Sequence, residues 1–482
     1  MKWQYLRFPL LAIILYLYLN LFANALVDDT FITLQYAKTL LHYGTWGFLP
    51  GYTTNAITSP LNTFLLSFTT SILGTNINAV ILLSALIMTL IVFWSTRISN
   101  LLFQTEFFGY AASGALILNP LLISTLGLES ILFSALYILT VYLYIMKRWN
   151  LLAVVLGLLT ITRFDGILFF AVALFFLPSL RLRLQFTLIF LCVIAPWHIF
   201  SWVFLGSIFP DTLFIKITQG SWGEWDFYNG LGLYYRTYML ATIFSVLFLP
   251  LLLLILNKDV RKMTPIPFLV MTGLTHYLAY SALHVPPYFW YYAPEITAIV
   301  LVGSLSLGKL FLLDGRATWK SKVTQAIVTG FIILQATGIF LILNQGGFFL
   351  NEMPIHTNWA THEQFKTIGE QLRRYKNKDV ILVDGEVGTI GYYCDCELSS
   401  FFSDRKWMNQ YVKRQTSGEG ITPFLFRINF LFWDDSTTLP SPKFLLHEAP
   451  NGHQEDQTNI MQWHTSTRWL SNTLIELKYF QP

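Results

Sequence analysis

Asp28 and Asp29 stand side by side directly after an apolar run, residues 10–27, long enough to cross a bilayer. Acids at such a position are costly unless they are used. Two uses suit a carboxylate pair there. It can satisfy the free N–H groups and the dipole of a helix N-terminus, or one member can take a proton from a hydroxyl as general base. Adjacent side chains cannot flank a sugar ring from opposite faces, as a glycosidase pair must, so one base and one helper is the arrangement the spacing permits. A divalent ion on Asp28 and Asp29 is compatible with the pair, although no local His/Glu set requires one. Among the cations, Arg163 in TRFDG is followed by Asp165. It can form an internal ion pair or bind a lipid phosphate. Glu129 enters an apolar helix in TLGLESILF; Asp211 and Lys216 lie in GSIFPDTLFIK; His284 precedes Pro286 and Pro287; Tyr291 belongs to a cluster of loop aromatics. Their plain alternatives are a helix cap, an interfacial lysine, a structural histidine and an interfacial belt. Cys394 and Cys396 lack the second ligand pair of a zinc site and make no disulfide framework. Gly385, Gly388 and Gly391 are spaced GxxGxxG, which does not suit a nucleotide.

The elements that must position these groups are mostly membrane helices. The 482 residues are 54% hydrophobic and 12% charged, with a mean hydropathy of +0.52, far more apolar than a soluble domain. The net charge of +4 hides a split: residues 1–344 carry 18 Lys+Arg against 11 Asp+Glu, and residues 345–482 carry 13 against 16. Apolar runs fall at 10–27, 77–99, 107–125, 128–146, 150–163, 165–179, 184–206, 238–257, 266–284, 289–313 and 323–344, which predicts about 11 transmembrane helices. The stretch from Ser59 is too short to cross and is expected to be embedded. The two runs flanking TRFDG are expected to form a short buried hairpin. With Lys2 and Arg7 placed inside, the cytoplasmic loops hold 14 basic residues and the outer side four. Asp28 and Asp29 then face out. From residue 345 the chain reads as a small α/β domain, with KDVILVDGEVGTIGYY giving strand, Gly turn and helix start, and FLFRINFLFW a further strand.

The stretch Val27–Leu61, VDDTFITLQYAKTLLHYGTWGFLPGYTTNAITSPL, resembles the first exoplasmic loop of the membrane-embedded GT-C glycosyltransferases, nearest to the mycobacterial terminal arabinofuranosyltransferases and related bacterial sugar transferases. It departs from them at Thr45-Trp46-Gly47, where the relatives usually run Gly-x-Gly. TRFDG is similar to the family's R-x-[DE]-G element, Gly206 to Lys216 to G-x-x-x-P-[ND]-T-x-x-x-K, and Gly127 to Ser130 to G-x-E-[ST]. The resemblance implies a transmembrane catalytic domain, residues 1–344, whose first exoplasmic loop is 28–76, and an exoplasmic α/β domain, residues 345–482. It implies a polyprenyl-phosphate sugar donor, with Arg163 and Lys216 on its phosphate and Asp28 as base beside Asp29. Glu129, Asp165, Asp211, His284 and Tyr291 would line the substrate site. The acceptor would be a cell-envelope glycan, lipid or protein on the outer face of a bacterial plasma membrane, with inversion at the anomeric carbon and no role for nucleic acid. A transporter or flippase would show internal repeats, which the sequence lacks; a non-catalytic envelope assembly protein would tolerate loss of both acids. The topology predicts that a membrane-impermeant thiol reagent applied to intact cells modifies a cysteine introduced on the surface of the 345–482 region and spares one in the loop between residues 309 and 322. The opposite pattern would invert the orientation.

Overall fold

The computed structural model describes residues 3–74, 76–313, 319–346, 350–436, 438–449 and 459–480. Lys2 and Arg316, used for the charge bias, lie outside them. The helices run in the order α1 (Trp3–Leu19), α2 (Asp28–Tyr43), α3 (Pro60–Leu73), α4 (Ile77–Phe103), α5 (Phe107–Ile117), α6 (Pro120–Ser124), α7 (Ser130–Ile145), α8 (Trp149–Thr162), α9 (Gly166–Phe176), α10 (Leu180–Leu205) and α11 (Asp211–Gln219). After these come α12 (Gly230–Thr237), α13 (Met239–Ser245), α14 (Lys258–Arg261), α15 (Pro265–Ala282), α16 (Ala293–Leu313) and α17 (Trp319–Gly346). The remainder is α18 (His362–Leu372), β1 (Ile381–Asp384), α19 (Gly388–Cys394), β2 (Leu398–Ser399), α20 (Lys406–Thr416), α21 (Ile421–Asn429), β3 (Phe444–Ala449), β4 (Asn459–Thr465) and β5 (Thr473–Tyr479).

The apolar runs of the sequence are mainly helical. Among the described residues, six segments are long and apolar enough to cross a membrane: Leu6–Ala25, Ile77–Phe103, Leu180–Leu205, Met239–Leu256, Phe289–Leu312 and Ser321–Gln345. The chain is a multi-pass membrane protein. The other apolar helices are shorter for local reasons. Asn119-Pro120 breaks the 107–125 run, with the Asn119 side chain accepting from the N–H groups of Leu121 and Leu122 to start α6. Helices α7, α8 and α9 have 16, 14 and 11 residues, roughly 16 to 24 Å at about 1.5 Å per residue, short of a hydrocarbon core of about 30 Å. Helices α8 and α9 do form the expected hairpin about Arg163-Phe164-Asp165. Gly166 permits its closeness, since a Cβ there would lie 2.7 Å from the Leu159 backbone.

The fold divides into two compact units: Met1–Leu21, Ile81–Ile194 and Gln219–Leu350 in the first, and Phe22–Val80, Ala195–Thr218 and Asn351–Pro482 in the second. The first is all helical. In the second, a five-stranded sheet of order β2-β1-β3-β5-β4 is parallel across β2, β1 and β3 and antiparallel from β3 through β5 to β4. Strand β1, the turn at Gly385 (φ +125°) and helix α19 appear where KDVILVDGEVGTIGYY placed them. FLFRINFLFW, read as a strand, is instead the end of α21 and the turn after it. The exposed residues Ile421, Phe424, Leu425 and Ile428 follow a helical period of three and four, not alternation. Cys394 and Cys396 are joined as a disulfide between adjacent ends of α19 and β2.

Helix α2 ends as its sequence implies, at Gly44 with a left-handed φ of +63°. Both its apolar and its polar side chains are buried, including Thr30, Thr33 and Gln35. Ile32, Tyr36, Trp46 and Phe48 share one core with Phe365, Ile381, Val387, Ile390 and Leu398 of the α/β region. The first loop is thus part of the core of that region. Burial there holds the His362 imidazole, which stacks on Phe31 at 4.9 Å, down to about 4. A histidine depressed below its unfolded value of about 6.5 favours the fold above that pH, and this contribution is lost as pH falls from there toward 4. The melting temperature should therefore drop across this window, and His362→Gln should flatten the drop.

Candidate functional site

Asp28 begins α2 and is 3% exposed. Its Oδ2 accepts the Gly388 N–H at 2.8 Å and its Oδ1 the Thr389 N–H at 2.6 Å, the first two amides of α19. Gly388 is required there, because a Cβ would fall 2.1 Å from the Asp28 carbonyl oxygen. The Asp28 N–H donates in turn to Asn358 Oδ1 at 3.2 Å. Asn358 Nδ2 and the Trp359 N–H donate to the two Glu386 oxygens at 2.6 and 2.9 Å. Burial pushes the Asp28 carboxyl up, and the Thr389 and Gly388 N–H groups pull it down. Burial and the charges of Asp28 and Asp29 push Glu386 up as well, against its two donors. Asp29, the next residue on α2, is half-buried. Sequence reasoning missed Glu386 and Asn358; the only cue was the DGEVG turn after a buried strand.

Asp211, at the start of α11, sits in the same unit. Its N–H donates to the Asn55 carbonyl at 2.8 Å, and Asn55 Nδ2 donates to Ser201 Oγ, Ser207 Oγ and Phe209 O at 2.9, 2.9 and 3.0 Å. Burial pushes the Asp211 carboxyl up to about 6 against the pull of the Arg405 charge. Arg405, also missed, is 4% exposed and donates to the Leu205 carbonyl at 2.7 Å. Lys216 lies five residues along α11, half-buried.

A second polar group occupies the first unit. Asp165 Oδ2 accepts from Arg163 Nη2 at 2.6 Å and Tyr280 Oη at 2.7 Å, and meets His276 Nε2 at 2.9 Å. His276 Nδ1 lies 2.5 Å from Glu295 Oε1. Arg163 Nη1 donates to the Trp290 carbonyl at 3.1 Å, its Nε is 4.0 Å from Glu129, and the rings of Phe133 and Tyr291 stand 5.5 and 5.2 Å from the guanidinium. Glu129, Arg163, Asp165 and Tyr291 thus come together as expected, joined by His276 and Glu295, which single-residue reading passed over inside apolar runs. His284, with φ +49°, pairs instead with Asp226 at 2.9 Å. Arg163 and Lys216 fall in different compact units. No three metal-ligating side chains are grouped for an ion among the described residues. The N–H donors on both Asp28 oxygens compensate its charge without a cation.

No protein-family model and no curated protein matches the sequence. Solved structures do. ArnT from Cupriavidus metallidurans bound to undecaprenyl phosphate superposes with a TM-score of 0.62 at 13% identity, over 99% of this chain and 98% of that one. The Archaeoglobus fulgidus oligosaccharyltransferase gives 0.52 at 12% identity, over 92% and 69%. The mycobacterial arabinofuranosyltransferase AftD gives 0.50 at 14%, over 92% of this chain but 35% of its own length. The chain has the GT-C glycosyltransferase fold.

Removing one partner of a buried ion pair costs about 3 to 5 kcal/mol. Asp165→Ala should therefore lower the melting temperature in detergent strongly. Arg163→Lys, which keeps the charge but not the forked donors, should cost less. Equal tolerance of both substitutions would mean the network does not hold these helices.

Proposed function

We propose that the protein is a membrane glycosyltransferase that moves a sugar from a polyprenyl-phosphate donor to an acceptor hydroxyl. The observation that carries this reading is the fold shared end to end with ArnT, whose structure holds undecaprenyl phosphate. The acceptor is a cell-envelope glycan, lipid or protein at the outer face of a bacterial plasma membrane. The carboxylate of the base takes the proton of the acceptor hydroxyl as that oxygen bonds to the anomeric carbon. The bond from carbon to the phosphate oxygen breaks, its electron pair leaves with polyprenyl phosphate, and the anomeric centre inverts. A fixed cation stabilises the phosphate as charge builds on it.

Geometry moves the roles within the acid pair. Asp28 was the expected base, yet both its oxygens carry backbone N–H bonds. An oxygen so engaged is a poor proton acceptor. Asp29, turned about 100° from it on the helix, is the base in this reading, and Asp28 its anchor. The cation is Lys216, tied to the first loop through Asp211 and Asn55. Arg163, saturated by Asp165, Tyr280 and Trp290, positions the helices of the first unit, with Glu129 and Tyr291 acting through it.

The two acids are separable by experiment. With a synthetic polyprenyl-phosphate sugar in detergent, Asp29→Asn should lose roughly 10² to 10⁴-fold in transfer at unchanged melting temperature, the range for general-base assistance. Asp28→Asn offers an NH₂ to one of two buried N–H donors, so it should lower stability by about 1 to 3 kcal/mol. A stable, inactive Asp28→Asn with an active Asp29→Asn would restore Asp28 as base. Full activity in both would end the base hypothesis.

A further inference from the structure

Helix α21 is apolar on both sides. On one, Phe426 packs against a small core of Phe214, Met408, Val412 and Phe430. On the other, Ile421, Phe424, Leu425 and Ile428 recur at i, i+3, i+4 and i+7, Leu431 and Phe432 continue the stripe, and all six are exposed, by 39% to 79%. A helix apolar all round is normally covered on every side. Six contiguous large apolar side chains in water exceed what soluble surfaces usually leave bare.

This stripe adjoins the end of a membrane-crossing helix. Trp202 of α10 donates from Nε1 to the Ile428 carbonyl at 2.8 Å, and its ring meets Phe432 edge-on at 5.2 Å. Just past α10, the Ile208 N–H donates to Asn429 Oδ1 at 3.1 Å. At Gly206, in the left-handed region with φ +80°, an added Cβ would stand 3.1 Å from the Trp433 Cα. The last turns of α10 leave Ile199, Val203 and Phe204 exposed, as a lipid-facing helix does. Exposed Arg414 on α20 and Arg427 on α21 supply positive charge near the stripe, while Lys413 pairs with Asp435 at 3.4 Å.

We propose that α21 lies in the head-group layer of the leaflet at which α10 ends, with the six apolar side chains at the acyl boundary and the basic ones on lipid phosphates. The occupant of the apolar face is lipid, because the face continues the lipid-exposed side of a span and is flanked by cations. The α/β region then holds the membrane through a monotopic helix of its own, independently of which donor or acceptor the enzyme uses.

Full-length protein in nanodiscs of mixed zwitterionic and anionic lipid, with Cys192→Ala, tests this by nitroxide labelling of Leu425→Cys and, as an aqueous control, Lys378→Cys. At 425, oxygen should collide with the label several-fold more readily than a water-soluble nickel chelate does, and the order should reverse at 378. Nickel access at 425 equal to that at 378 overturns the proposal. So does shielding of 425 from both reagents with dipolar broadening between labels, which would make the face a contact between two copies. In the unsubstituted protein, a lipid-borne photoactivated carbene should mark the peptide spanning 421–432; a failure to mark it overturns the proposal regardless of how the variants fold.

Discussion

The Asp28 carboxylate is buried with its two oxygens on the opening amides of α19, while its own amide opens α2. A buried anion is tolerated only where donors or opposite charge compensate it. Here the compensation is the N-terminal amides of a helix more than 350 residues away in sequence. The demand propagates outward. Gly388 must lack a side chain, the DGE turn must present Glu386 to Asn358 and Trp359, and Asn358 must face the Asp28 amide. Around these bonds the first loop and the sheet close one apolar core. What reads in sequence as a loop and a separate tail is, energetically, a single body.

The first unit meets the same constraint differently. Arg163, Asp165, His276 and Glu295 all lie among apolar helices, and each charge is placed against another group with hydrogen-bond geometry. Deleting any one would strand its neighbour in a low-dielectric interior, which is why such clusters behave as all-or-none structures. Three aromatic rings close the guanidinium from the sides. An arginine so enclosed is held in one geometry by its own neighbours.

Much of this was legible in the sequence, within limits set by range. Local signals held: the Gly44 stop, the TRFDG hairpin, the strand and turn before α19, and the placing of the acid pair just beyond an apolar run. Signals that need partners did not. Nothing near Asp28 announces Gly388, and His276 and Glu295 look like ordinary polar punctuation until α15 and α16 bring them to Asp165. Hydropathy marked the long apolar helices among the described residues but not how the runs divide, because window averages pass over a proline break or an 11-residue helix. FLFRINFLFW read as a strand because aromatic and branched residues favour strands in general; packing on α20 makes it helical.

The grouping of the chain bears on which cation serves the acids. The loop that carries Asp28 and Asp29 and the helix that carries Lys216 belong to one unit. They are also tied directly: Asn55, within the loop, accepts the Asp211 amide and donates to the Ser207 and Phe209 segment that leads into α11. Lys216 is therefore connected to the loop of the acid pair through the Asp211–Asn55 bond and one turn of α11. A base and a phosphate cation must hold a fixed separation to act on one sugar phosphate, since misplacement by about 1 Å can cost 10²-fold in rate. In the proposed reading, Lys216 meets that requirement through covalent and hydrogen-bonded continuity. Arg163, by contrast, is fastened within the other unit.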